Sequence, residues 1–311
     1  MHGVSNGGCF GRDASHRWRA SDLTARRIRV PGSNRQWRAT RLGRSVVAMS
    51  AELREHYAFR LEGARGRRVL TPLLARMVAA NNERIARVDG GAPNPRPLEG
   101  VGWADALVAA GPTIRAEWDR FVAAGGVLPR AEELFDGDAG QESSWWRMGL
   151  LLLHGRPVDP LGDIFPATAR VLASVPGIDS ATWSVLGPGG RLAPHTGPNA
   201  GGLRLLVAVD CPGGAHLDIA GTPVVLGDGD VVLFDDTAVH SSDNPATAPR
   251  TLVLCDVIRP LPRPARWANV VVQRAHHALI PRFRGAPARG RALHRRLNPG
   301  LEQRLGELAP R

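Results

Sequence analysis

Residues 181–240 read ATWSVLGPGGRLAPHTGPNAGGLRLLVAVDCPGGAHLDIAGTPVVLGDGDVVLFDDTAVH. Short runs rich in Val, Leu and Ile alternate here with glycine turns: Gly187-Pro188-Gly189-Gly190, Cys211-Pro212-Gly213-Gly214, Ala220-Gly221 and Gly227-Asp228-Gly229. Glycine supplies the positive φ that tight turns require, and proline fixes the neighbouring corner. The runs 181–186, 191–194, 203–210, 215–219, 222–226, 230–235 and 251–258 are therefore expected to be strands. Strands this short, at this spacing, indicate a barrel or sandwich. No βαβ alternation and no strand–GxGxxG–helix unit is present, which argues against a nucleotide-binding sheet.

Working outward, the flanks look helical. Residues 51–88 carry an apolar face, with Ser50 a plausible N-cap and Thr71-Pro72 a new helix start. Residues 103–124 read as one helix with Ile114, Trp118, Phe121 and Val122 on one side, and 166–175 as a short helix opened by Pro166. Met148 to Leu153 is apolar but only core-length. Residues 264–306 return to basic, helical sequence. The expected organisation is a disordered basic tail over 1–48, upstream of an alternative start at Met49. A helical region over 49–160, a β core over 161–262 and a basic helical extension over 263–311 follow.

The chain has 311 residues and a net charge of +11, and its cations are all arginine. Residues 1–48 hold ten Arg against two Asp, and 259–311 twelve Arg against two Glu, so the excess lies at the ends and the middle is acidic. That distribution gives no reason to expect nucleic acid on the core, although the tails on their own suit an interaction module for anionic lipid or nucleic acid. Three cysteines, Cys9, Cys211 and Cys255, are too few and too scattered for a secreted disulfide framework. With no apolar run of about 20 residues and no signal-like N-terminus, no membrane span is expected, and the reading is cytoplasmic. The oligomeric state is not legible.

Three histidines fall in the β region: His195, His216 and His240. Two imidazoles facing each other in a barrel mouth suit a borderline metal such as iron(II). Most oxygenase sites add a carboxylate two residues after the first histidine, where this chain has Gly197. Spacing alone leaves both readings open, ligands or unrelated side chains. His216 reads as structural or surface, and Asp235 and Asp236 read as shaping the strand end before His240 rather than as ligands. Trp145 and Trp146 read as core or lid.

An ordered string of residues over roughly 103–262 resembles the aspartyl/asparaginyl β-hydroxylase family. It includes Ile114-Arg115-Ala116-Glu117, Trp146, Phe165-Pro166-Ala167-Thr168, Val175-Pro176-Gly177 and Ser184-Val185-Leu186-Gly187-Pro188-Gly189. It continues through His195-Thr196-Gly197-Pro198-Asn199, Leu203-Arg204, Phe234-Asp235-Asp236-Thr237, His240, Asn244, Arg250 and Asp256 to Arg259-Pro260. The resemblance implies a double-stranded β-helix (jelly-roll, cupin-like) core with flanking α-helices. It implies an iron(II)- and 2-oxoglutarate-dependent dioxygenase that uses O2 to hydroxylate an unactivated carbon, on a peptidyl or free amino acid or other small substrate. His195 and His240 would bind the metal, with glycine as the family's own choice at position 197. Arg250 would pair with the distal carboxylate of 2-oxoglutarate, as planar bidentate arginine suits, with Arg204 and Ser184 assisting. One departure stands out: Leu206 occupies a position where the family shows histidine, and leucine donates no hydrogen bond. That departure supports a second reading, a non-catalytic or degenerate cupin-like metal-binding protein.

Overall fold

The computed structural model describes residues 67–89, 91–135, 145–279 and 281–308. The tail expected over 1–48, the Ser50 cap and Cys9 lie outside these residues. Among these residues ten strands form two antiparallel sheets. The larger has the order β2-β1-β3-β10-β5-β8 and the smaller β4-β9-β6-β7. The larger comprises β1 (Trp146–Leu153), β2 (Arg156–Pro157), β3 (Ile178–Leu186), β5 (Gly202–Asp210), β8 (Val231–Phe234) and β10 (Arg250–Ile258). The smaller comprises β4 (Arg191–His195), β6 (Ala215–Ile219), β7 (Thr222–Leu226) and β9 (His240–Asp243).

Leu206, Ala208, Val232, Phe234 and Leu252 of the first sheet pack against Leu217, Ile219, Val224 and Leu226 of the second. Alternation along each strand sends these residues between the sheets. The result is the double-stranded β-helix, with a mainly β core and helices outside it.

The opposite face of the large sheet is covered by α2 (Gly102–Ala109), α3 (Gly111–Ala123), α5 (Leu161–Ile164) and α6 (Pro166–Ala173). Trp183 of β3 is fully buried there. Its ring lies 4.9 Å from Trp118 and 4.8 Å from Phe165. Glu117 of α3 accepts hydrogen bonds from the backbone N–H groups of Ala167 and Thr168 and from the Thr168 hydroxyl. A carboxylate on those free N–H groups and the positive helix end holds α6 in place.

Three expectations change. Residues 146–157 are not part of the helical region: β1 and β2 join the large sheet, so the barrel begins before residue 161. The segment escaped notice because β1 is packed on both faces, with Leu151 and Leu152 in the main cluster and Met148 and Leu150 against Ala131, Leu134 and Ala286. A strand buried on both faces shows no alternation. The helix read over 103–124 is two, separated at Ala110, with Pro112 in the first turn of α3. The helix that contains Pro72 starts earlier, as α1 (Arg67–Asp89). After the barrel come α7 (Ala265–Leu279), α8 (Pro281–Leu297) and α9 (Leu301–Glu307), and α7 packs on α1. Among the described residues no helix is long and apolar enough to cross a membrane.

Trp183→Ala should cost about 3–5 kcal/mol of unfolding free energy in urea titrations. Trp183→Phe should cost far less, because it keeps a ring in place and removes an indole N–H that has no hydrogen-bond partner. A loss below about 1 kcal/mol for the alanine variant would contradict this packing.

Candidate metal and co-substrate site

In the register of β4 on β9, His195 stands directly opposite His240. The ring centroids are 4.2 Å apart, with the planes at 50°. The ladder is irregular between Leu192 and His195, across Pro194, which has no N–H to donate. Nδ1 of His195 lies 2.7 Å from the Ala193 carbonyl, and Nδ1 of His240 lies 2.9 Å from the Ala238 carbonyl. A carbonyl oxygen only accepts, so in both rings Nδ1 carries the hydrogen and Nε2 keeps its lone pair. These are the acceptors that fix the tautomer, and both arise from the same Ala-x-His pattern. Burial pulls His240 down to about 4, with the Ala238 bond opposing and His195 and Arg204 adding to the effect. The ring is therefore neutral near neutral pH, as a metal ligand must be.

The ring separation is of the size that two imidazoles on one ion require. A metal–imidazole bond of about 2.1 Å puts the ion about 3.2 Å from each ring centre, so rings at right angles around it sit about 4.5 Å apart. Among the described residues no group of three or more His, Cys, Asp or Glu side chains gathers around a common point. Gly197 accounts for this locally. A Cβ at that position would lie 2.6 Å from the Asp236 carboxylate, while the Gly197 N–H donates to the Asp236 carbonyl at 2.6 Å. A carboxylate side chain at residue 197 has no room.

The two aspartates before His240 have other duties. Asp235 accepts from the backbone N–H and hydroxyl of Thr237 and pairs with the buried Arg259 at 2.7 Å. Asp236 pairs with Arg204 at 3.0 Å. Arg204 also meets Asp256 at 3.3 Å, and Ser180 donates to Asp256 at 2.7 Å. Burial works against the Arg204 charge, but Asp256 and Asp236 outweigh it and hold the guanidinium above its ordinary range. Arg204, expected at the co-substrate, is thus paired with two carboxylates in this structure.

Arg250 is the contrasting case. Its side chain is buried, and its Nε and Nη1 have no hydrogen-bond partner. Among the described residues no carboxylate forms an ion pair with it. Burial draws it down to about 10, against the opposing influence of Cys211 and Asp243, so it remains a cation near neutral pH. Ser184 is one strand away on the same face, since Leu186 pairs with Arg250 and Ser184 with Leu252. Ser184 Oγ accepts from the Trp146 indole at 2.9 Å, which leaves its own hydrogen to donate. Leu206 is buried in the apolar layer between the sheets. Phe234 meets the His240 ring edge-on at 5.3 Å.

The loop after His195 is held from outside the barrel. Asn82 of α1 bonds the Pro198 carbonyl and the Ala200 N–H, Asn269 of α7 donates to the Gly201 carbonyl, and Gln273 exchanges hydrogen bonds with Asn199. Sequence reading missed Asn82, Asn269, Gln273 and Ser180, and the pairing of Asp256, because the partners lie 52 to 118 positions away. His216 alternates with inward-facing Ala215 and Leu217, and its ring lies 3.2 Å from the nearby Gly213 carbonyl. Cys211 and Cys255 are free and buried, and burial raises both thiols, Cys211 to about 12. They behave as small core residues. Trp145 is exposed.

Residues 109–260 match the family model for aspartyl/asparaginyl β-hydroxylase. The chain is 26% identical over 171 residues to an ornithine lipid ester-linked acyl 2-hydroxylase of Rhizobium tropici, covering 54% of this chain and 61% of the relative. It is 31% identical over 104 residues to aspartate β-hydroxylase domain-containing protein 2 of Rattus norvegicus, covering 30% of each. The match thus spans less than two thirds of either relative. Among solved structures, a cupin domain of an XRE-family transcriptional regulator from Enterobacter cloacae is similar at 17% identity and TM-score 0.27, covering 38% of this chain and all of that one. The barrel domain of this chain belongs to the aspartyl/asparaginyl β-hydroxylase family.

Proposed function

We propose that the protein is an iron(II)- and 2-oxoglutarate-dependent dioxygenase that hydroxylates an unactivated carbon. The substrate is a peptidyl or free amino acid or another small molecule, a set that the acyl hydroxylase of Rhizobium tropici extends to lipid acyl chains. One observation carries the reading: two imidazoles with bare Nε2 atoms face each other across β4 and β9, and the inner face of β10 carries a buried guanidinium with no ion pair among the described residues. An uncompensated buried cation is costly, and a dicarboxylate co-substrate supplies the missing charge. The free buried thiols accord with a cytoplasmic enzyme.

His195 and His240 would hold the metal through Nε2, each ring kept in place by its Nδ1 bond to Ala193 or Ala238. Arg250 would bind the distal carboxylate of 2-oxoglutarate through its vacant N–H groups, with the Ser184 hydroxyl beside it. Iron(II), 2-oxoglutarate and O2 together supply the oxidising power to place hydroxyl on an unactivated carbon, with release of succinate and CO2. Phe234, Leu206 and Leu252 wall the interior with apolar surface, which excludes water and strengthens the charge pair at Arg250. Arg204, Asp236 and Asp256 form a closed ionic group that keeps Gly197 and the strand before His240 in position. The second reading, a degenerate metal-binding cupin, is favoured by one feature, Leu206 in place of the family histidine. Anaerobic titration of the iron form separates the two: a weak visible absorption band on adding 2-oxoglutarate supports the oxygenase.

His240→Ala should abolish iron-dependent CO2 release and cobalt(II) binding while leaving the far-ultraviolet circular dichroism unchanged; full turnover would overturn the ligand assignment. Arg250→Met separates a ligand role from a structural one. The metal-free variant should melt at or above the temperature of the parent, since an unpaired buried charge is gone, yet lose the thermal stabilisation that 2-oxoglutarate gives the metal-loaded parent. Its 2-oxoglutarate requirement should rise by about 30-fold or more. A variant that melts lower and responds normally to 2-oxoglutarate would assign Arg250 to the fold.

A further inference from the structure

Helix α7 has two unlike faces. Asn269, Val272, Gln273 and His276 are buried, and Asn269 and Gln273 carry the hydrogen bonds to the loop after His195. The outer face holds Trp267 and Val271, which are 66% and 60% exposed. They are the two most exposed large apolar side chains among the described residues, and they stand one helical turn apart. Exposed Arg263, Arg266 and Arg274 surround them. No Asp or Glu occurs anywhere in residues 261–300.

We infer that the outer face of α7 is a docking surface for an anionic lipid bilayer. A protruding indole and a valine gain nothing from water, and exposed apolar groups of this size mark interaction sites. An indole seats well at the headgroup level, and arginine stems lie along apolar surface while their guanidinium groups reach lipid phosphates. A basic helix with a Trp-bearing apolar stripe is the pattern of a helix that lies in the interface plane.

Charge decides between this occupant and the others. Two copies meeting face to face across a two-fold axis would set Arg263, Arg266 and Arg274 against their own counterparts. A nucleic acid would match the arginines but offers Val271 no apolar partner. A bilayer bearing phosphatidylglycerol satisfies both kinds of side chain. Docking there brings the lipid surface to within about one helix diameter, about 10 Å, of the loop that follows His195. The inference stands apart from the oxygenase reading, because it concerns the outer face of α7 and is tested without turnover.

The test is sedimentation of the full chain with vesicles of phosphatidylcholine alone or mixed equally with phosphatidylglycerol, at low and high salt. The parent should bind the mixed vesicles and release as salt rises. The double variant Trp267→Ser/Val271→Ser should bind them about 10-fold more weakly, with an unchanged melting temperature because both side chains are exposed. Each arginine near an anionic surface is worth about a fivefold gain, so Arg266→Gln/Arg274→Gln should lose about 25-fold. Brominated acyl chains should quench a part of the tryptophan emission that is missing from Trp267→Ser. Equal binding by the Trp267/Val271 variant and the parent would overturn the proposal, because the contact would then be charge alone. So would a parent dimer that this variant dissolves without vesicles, or a duplex oligonucleotide that binds the parent through Trp267 more tightly than vesicles do.

Discussion

The site depends on β9 meeting β4 in one register. Side chains alternate along a strand, so a slip of one residue would turn His240 out of the barrel and part the two rings. A four-residue strand of His, Ser, Ser and Asp has little apolar content to hold that register by itself. The clamp is Asn244, wholly buried just past the end of β9. Its side-chain amide lies within hydrogen-bond distance of the carbonyls of Leu186, Gly187 and Ala248, and its backbone bonds Gly189 and Gly190. The turn that leads into β4 is thereby tied to the turn that leaves β9. At the other end, Asp235 and Thr237 lock the approach to His240, with Arg259 as counter-ion.

The arginines of the barrel differ in their partners. Arg259 meets Asp89 and Asp235 at 2.7 Å each, and Arg204 meets Asp236 and Asp256. Both are neutralised within the fold, and both brace backbone beside the histidines. Arg250 is buried as deeply as Arg259 and lacks such partners. Arg204, whose position on the strand after His195 suggests co-substrate binding, differs from Arg250 in carrying two carboxylate partners.

The legible parts of the fold are those governed by local chemistry. Strands β6 and β7 match their expected bounds because Gly213-Gly214, Ala220-Gly221 and Gly227 mark their ends. Strand β9 was missed because a polar strand across a barrel mouth lacks an apolar period, and β1 because packing on both faces erases the alternation. His195, His240 and Arg250 were legible from the ordered string around them. What held them was not: the Asp256 partner of Arg204 is 52 residues away, and Asn82 reaches Ala200 across 118. The Nδ1 acceptors are the exception. Ala193 and Ala238 each stand two residues before a histidine, and that repeat was available to be read.

The charge pattern along the chain follows the same division between inside and outside. In the acidic middle of the sequence, carboxylates are spent on structural arginines: Asp235 and Asp89 on Arg259, Asp236 and Asp256 on Arg204, Asp119 and Asp228 on Arg115. Along α7 the position is reversed, since arginines stand exposed with no acid on their own helix. Exposed positive charge therefore lies on the helices outside the barrel, and one of them, α7, grips the loop beside His195 with its inner face. Because the α7 amides that hold this loop are buried, a force on the outer face is carried to the strand that bears His195 through oriented hydrogen bonds rather than through a flexible linker.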